Sequence, residues 1–152
     1  MTDEHSVEKR EETIVMYSDG ASRGNPGPSA VGVFIETLGK SYGERLEDTT
    51  NNDAEYRAIL LGLKKIKSLV GKKRAKTLRI LCRMDSQLAA EQLNHRYKIE
   101  HPVIRERFLD VWNLMLDFGE VAFEHVPREE NREADRLANE ALDGKGKQTK
   151  LL

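Results

Sequence analysis

The chain has 152 residues, 38% hydrophobic and 34% charged, with a formal net charge of −1, which supplies one apolar core under a charged surface and excludes a disordered chain. No apolar run reaches the roughly 18 residues of a membrane span, and the polar start over residues 1–12 does not read as a signal peptide. The lone Cys82 excludes a disulfide framework and a multi-cysteine metal site, so a reducing, cytoplasmic location is the expectation.

In chain order, residues 1–12 read as a tail and Thr13–Tyr17 as a strand. A Gly/Pro/Ser-rich turn follows over Asp19–Ser29. Ala30–Glu36 and Ser41–Leu46 read as a hairpin joined at Leu38-Gly39-Lys40. A helix is expected from Asn51 or Asn52 to Val70, with Thr50 or Asn51 as its cap and Gly71 as its stop. Leu78–Cys82 reads as an apolar strand, and Ser86–Leu93 as a short helix. Beyond Pro102, Ile104–Phe118 carries helical spacing in Phe108, Val111, Trp112 and Met115. Val121–Val126 is a strand ended by Pro127, and Arg132–Leu142 a helix with Ala134, Leu137, Ala138 and Ala141 on one face. Residues 143–152 read as a loose second tail. The order βββ-α-β-α-α-β-α predicts an α/β domain over residues 13–142, with one mixed sheet and helices on its faces.

Charge is unevenly placed along the chain. From Tyr56 to Met84 there are ten lysines and arginines and no acid, which leaves the remainder strongly negative. Such a run is a solvated helix face or a phosphate-binding face. Four acids, by contrast, fall in apolar surroundings. Asp19 ends the first strand and Asp85 follows the fourth. If those strands are parallel, both carboxylates emerge at one sheet edge, where sites in such sheets lie. Glu55 shares a helical stripe with Ile59, Gly62, Ile66 and Leu69, which directs it toward the sheet. Asp135, in register with Ala138 and Leu142, points inward from the last helix. Each acid alone also suits a turn, a cap or a helix dipole. Converging together they would repel, and a divalent cation removes that cost. Oxygen-only ligands suit Mg²⁺ or Mn²⁺ rather than Zn²⁺. Two such ions about 4 Å apart can clamp a phosphodiester, one activating water and the other stabilising the leaving oxygen.

Four segments resemble the motifs of type 1 ribonuclease H, in the family's order: Tyr17–Gly27, Asn51–Ala58, Met84–Leu88 and Asn131–Ala138. The resemblance implies the ribonuclease H-like fold, a five-stranded mixed sheet with strands 1–3 antiparallel and helices on both faces. It implies a metal-dependent endonuclease that cuts the RNA strand of RNA–DNA hybrids and leaves 5′-phosphate and 3′-hydroxyl ends. Asp19, Glu55, Asp85 and Asp135 match the metal-binding carboxylates. Ser22, Gly24, Asn25, Asn51, Asn52 and Gln87 match positions contacting the hybrid's minor groove, and Thr50 one near a DNA-strand phosphate. Polar side chains and a Gly-rich backbone can read a 2′-hydroxyl without reading bases, so cutting independent of sequence is expected. Salt-sensitive binding through Lys and Arg is expected too, with the cationic segment as a candidate contact.

The sequence departs from the common family pattern before the last aspartate. Many members place a histidine in a flexible loop there, whereas this chain has the short His125-Val126-Pro127-Arg128-Glu129-Glu130 and resembles the Val-Pro-Arg subset. Arg128 is then the group facing the phosphate: always charged, it holds an anion but shuttles no proton. His125 falls within the predicted strand, and His5, His95 and His101 are expected at the surface. The short link from Asn94 to Val103 has no room for the basic insertion of some members, nor residues 1–12 for a hybrid-binding module. The chain is expected to be a monomer whose partner is the hybrid. Gln148-Thr149-Lys150-Leu151-Leu152 resembles peptides that dock on sliding clamps. Rival readings are a nuclease of the same fold acting on another nucleic acid, such as double-stranded RNA, and a non-catalytic hybrid-binding module. A proofreading-type exonuclease would need Asp-x-Glu where Ala21 stands, and a transposase-like relative would place a Glu last among the acids.

Overall fold

The computed structural model describes residues 12–144. Strands β1 (Glu12–Ser22), β2 (Gly27–Ile35) and β3 (Lys40–Thr49) form an antiparallel meander. Strands β4 (Leu78–Met84) and β5 (Glu120–His125) add in parallel on the other side of β1, giving the order β3-β2-β1-β4-β5. Helices α1 (Asn51–Val70), α2 (Lys72–Ala75), α3 (Gln87–Leu93), α4 (Pro102–Met115) and α5 (Arg132–Leu142) complete the fold.

Local chemistry sets the boundaries. The Thr50 hydroxyl accepts the Asp53 N–H (3.2 Å) and opens α1, which Gly71 closes at φ 90°. Ser86 opens α3 in the same way, through the Ala89 N–H. In β1 the buried side chains Ile14, Met16 and Ser18 alternate with partly exposed neighbours, the period-2 pattern of a strand with one face on a core.

Helices cover both sheet faces because small residues let them come close. A Cβ on Gly62 of α1 would lie 2.3 Å from Met16 Cε. On the opposite face, a Cβ on Gly32 would lie 2.2 Å from the Ala134 carbonyl oxygen of α5. That neighbour is backbone and cannot swing aside. Gly32→Ala should therefore lift α5 from the sheet and cost about 3 kcal/mol, or roughly 10 °C of melting temperature. A melt within about 2 °C of the parent would show that α5 is not seated as described.

Several expectations need correction. The tail expected over residues 1–12 gives way at Glu12, which pairs with Leu78. The first strand continues to Ser22, so the turn spans only residues 23–26. Leu69 is 44% exposed, because its 14-residue step from Glu55 leaves it about 40° off the buried stripe. Trp112 is 48% exposed: Val111 takes the core position on α4, and the next residue turns outward. Helix α4 ends at Met115, and α2 was not foreseen. His5 and the clamp-like peptide over residues 148–152 lie outside the described residues. Among the described residues, no helix is long and apolar enough to cross a membrane.

Candidate active site

The parallel pairing of β1 with β4 ends at Ser18 and Met84. Asp19 and Asp85 are the next residues of their segments, so both carboxylates emerge at one sheet edge. Asp19 is not the end of its strand, however. It pairs with Gly32, and β1 continues against β2 to Ser22 because its two neighbours stop at different places. Glu55 enters from the first turn of α1. The Gly20 N–H donates to its Oε1 at 3.1 Å. A Cβ on Gly20 would stand 2.3 Å from the Ala54 carbonyl carbon and the Glu55 nitrogen, so this approach of helix to strand requires glycine.

Carboxylate oxygens of Asp19, Glu55 and Asp85 lie within 4.8 Å of one another. Asp135 stands outside that close group but lines the same cavity of about 520 Å³, together with Ser22, Asn51, Arg128 and Asn139. Burial, then the charges of Glu55, Asp85 and Asp135, push the Asp19 carboxyl up to about 9. Burial and the Asp85 charge push Glu55 up to about 8, opposed by the Gly20 N–H and by the positive Arg128. Clustered anions in a poorly solvated pocket resist ionisation. Asp85 Oδ2 is buried with no hydrogen-bond partner. An orphaned buried oxygen among hard anionic donors fits a divalent cation and explains what stabilises the ionised cluster.

The residues expected to touch a hybrid fare unequally. Ser22 and Asn51 line the cavity, but Ser22 Oγ also reaches the Gly24 carbonyl and the Thr49 carbonyl (2.9 Å), which holds the turn. Asn25 Oδ1 accepts the Asn51 N–H (3.0 Å), tying the turn after β1 to the start of α1. Gly24 has φ 116°, a conformation that favours glycine. Thr50 serves as the cap of α1. Asn52 Oδ1 is buried without a partner, while Gln87 is exposed at the start of α3. His125 is exposed at the end of β5, and His95 and His101 are exposed as expected.

Two residues were given no role by the sequence, although Asn131 opens the fourth motif. Asn139 donates to Asp135 Oδ1 (3.1 Å), and its signal was its spacing of four on the same helix face. Asn131, 1% exposed, donates to the Ser18 carbonyl (2.9 Å) and so fixes the start of α5 against β1 beside Asp19. No spacing rule pointed to that bond across 113 residues.

The densest part of the cationic segment lies away from this edge. That part, Lys72–Lys76, follows the 20 residues of α1, a rise of about 30 Å from the helix start that carries Glu55. It precedes β4, whose far end leads to Asp85. A strand crosses from one edge of a sheet to the other, so charges before β4 cannot sit with a carboxylate after it.

Residues 18–141 match the family model described as reverse transcriptase-like. The chain is 39% identical over 131 residues to ribonuclease HI of Halobacterium salinarum, covering 84% of this chain and 63% of that protein. It is 38% identical over 135 residues to the bifunctional protein Rv2228c of Mycobacterium tuberculosis, covering 86% of this chain but 35% of that one. The chain thus spans about a third of the mycobacterial relative's length. Among solved structures, the Halobacterium salinarum ribonuclease H1 superposes with a TM-score of 0.77 at 37% identity, covering 86% of this chain and 98% of that one. LC11 ribonuclease H1, solved with an RNA/DNA hybrid, gives 0.81 at 35% identity, covering 87% and 98%.

Proposed function

The chain belongs to the type 1 ribonuclease H family, and from that premise we propose that it hydrolyses the RNA strand of RNA–DNA hybrids, without sequence preference, to 5′-phosphate and 3′-hydroxyl ends. The observation that carries this reading is the group of Asp19, Glu55 and Asp85 oxygens within 4.8 Å at an open polar cavity. With Asp135, these residues would hold two Mg²⁺ ions, for which Mn²⁺ substitutes. Bound there, the cations supply water activation and stabilisation of the leaving oxygen.

The chain's own groups do the rest. The Gly20 N–H holds the Glu55 carboxylate in place, and Asn139 holds Asp135. Arg128, on the cavity wall, offers a fixed positive charge to the phosphate. Asn51 lines the cavity with a polar side chain suited to a 2′-hydroxyl. The hybrid-bound LC11 relative supports the choice of substrate. A labelled set of hybrid, RNA duplex, DNA duplex and single strands, with Mg²⁺, Mn²⁺ or chelator, tests it. Cleavage is expected for the hybrid's RNA strand alone, and only with metal. Metal-independent cutting, or none on hybrid, would refute the assignment.

A further inference from the structure

Helix α4 links the two edges of the molecule. In its first half Arg107 Nε donates to Asp53 Oδ1 (2.6 Å), in the first turn of α1. Beyond its end Lys67 Nζ meets Asp117 (2.9 Å). It therefore runs alongside α1, in the same direction, from the site toward the cationic edge. Its outer face carries Leu109, Trp112 and Leu116, which are 58%, 48% and 57% exposed. Trp112 also walls a separate cavity of about 250 Å³, with Phe108, His95 and Phe123 among its lining.

One turn beyond Trp112, the Leu116 carbonyl accepts from Lys76 Nζ (3.2 Å), joining this aromatic surface to the basic edge. Lys72 and Lys73 are exposed there and make no ion pair among the described residues. Of the acids around this edge, Asp117 pairs with Lys67, Glu120 with Arg79 and Glu12 with Arg74. A flat exposed aromatic over a hollow, continuous with uncommitted lysines, combines a stacking platform with phosphate-binding charge.

We propose that this surface, from the Trp112 hollow to Lys72, Lys73 and Lys76, binds single-stranded nucleic acid: a base stacks on Trp112 and the phosphates track the lysines. The positive charge suits a polyanion, and the exposed aromatic suits its bases; an acidic protein segment would not need it. A rigid duplex seated at the carboxylates cannot turn the corner to the opposite edge, whereas a flexible flank can. The surface would thus hold the unpaired strand beside a hybrid.

Binding to labelled oligo-dT in chelator tests this without any cleavage, so the result stands apart from the nuclease reading. Hybrids with and without a single-stranded overhang of about 15 nucleotides are then compared. The overhang is expected to tighten binding about tenfold. The triple variant Lys72→Gln/Lys73→Gln/Lys76→Gln should reduce the logarithmic salt slope for oligo-dT by about 2. Trp112→Ala should weaken oligo-dT binding about tenfold, with Trp112→Phe restoring most of it, and all variants should cut blunt hybrid like the parent. Equal binding of blunt and overhung hybrids, or unaltered oligo-dT affinity in the variants, would overturn the proposal. So would capture by anionic vesicles without affinity for oligo-dT.

Discussion

Asp19→Asn is expected to lower hybrid cleavage by at least about 10³-fold while making the metal-free protein more stable at pH 8. Both effects come from one fact: this carboxylate is 6% exposed among three other acids. Its carboxyl is pushed up from 3.8 to about 9, by burial first and by Glu55, Asp85 and Asp135 after it. Between those values the folded chain holds a proton that the unfolded chain releases. The stabilisation is fully present below about pH 4 and is lost as pH rises toward about 9. Asparagine cannot ionise, so the variant escapes Asp19's share of that loss. A gain of ~2 kcal/mol, or ~5 °C, is expected at pH 8, and little difference at pH 4. Divalent cation should reverse the comparison, because it favours the ionised cluster. The parent should gain more from Mg²⁺ at pH 8 than at pH 5, and the variant less at either. Melting curves across this pH range, with and without Mg²⁺, check the stability half, and a single-turnover cleavage assay checks the other. A variant that cuts within about tenfold of the parent would remove Asp19 from the metal site.

Much of this was legible in the residues. The shared edge of Asp19 and Asp85 was read on the condition that their strands are parallel, which the pairing meets, and the inward aim of Glu55 followed from a stripe that holds through Ile66, which is fully buried. What escaped was set by tertiary geometry. The extension of β1 past Asp19 depends on β2 still being there after β4 has stopped. The Gly20 contact depends on where a helix lands, and composition shows only a turn-prone Asp-Gly. Asp135 reads as a fourth equal partner from its helix face; it reaches the Asp19 carboxyl and accepts from Asn139, yet it lies outside the mutually close group of three. The ten cations form one segment of sequence, yet the fold scatters them. Arg57 faces Glu47 near the start of α1, Lys65 lies over the Tyr42 ring, and Lys72 and Lys73 stand at the remote edge. Periodicity gives the direction of a side chain on its own element. It does not say which end of the sheet that element reaches.

Arg128→Ala should slow turnover about 10- to 100-fold while changing hybrid affinity by less than about threefold. The residue sits in the 3₁₀ turn after Pro127, exposed and lining the cavity with the carboxylates. Its removal breaks no hydrogen bond among the described residues, so the fold should be untouched and the comparison clean. An exposed arginine loses little on substrate binding, where many phosphates share the charge. Its effect is concentrated where a single phosphate gains charge during cleavage, which puts the loss on kcat rather than on KM. A second consequence follows from the same position. Arg128 opposes the upward push on Glu55, which stands at about 8 with the arginine in place. Without that positive charge the Glu55 carboxyl should hold its proton to still higher pH, so the rising limb of the pH–rate profile should move to more alkaline values at limiting Mg²⁺. Saturating Mg²⁺ should pull it back, since the cation replaces the missing charge. Arg128→Lys should keep the position of that limb and recover only part of the rate, because an ammonium supplies charge but not a two-pronged grip on phosphate. A kcat equal to the parent's would take Arg128 out of the active site. An unmoved limb with a reduced kcat would confine its role to the phosphate.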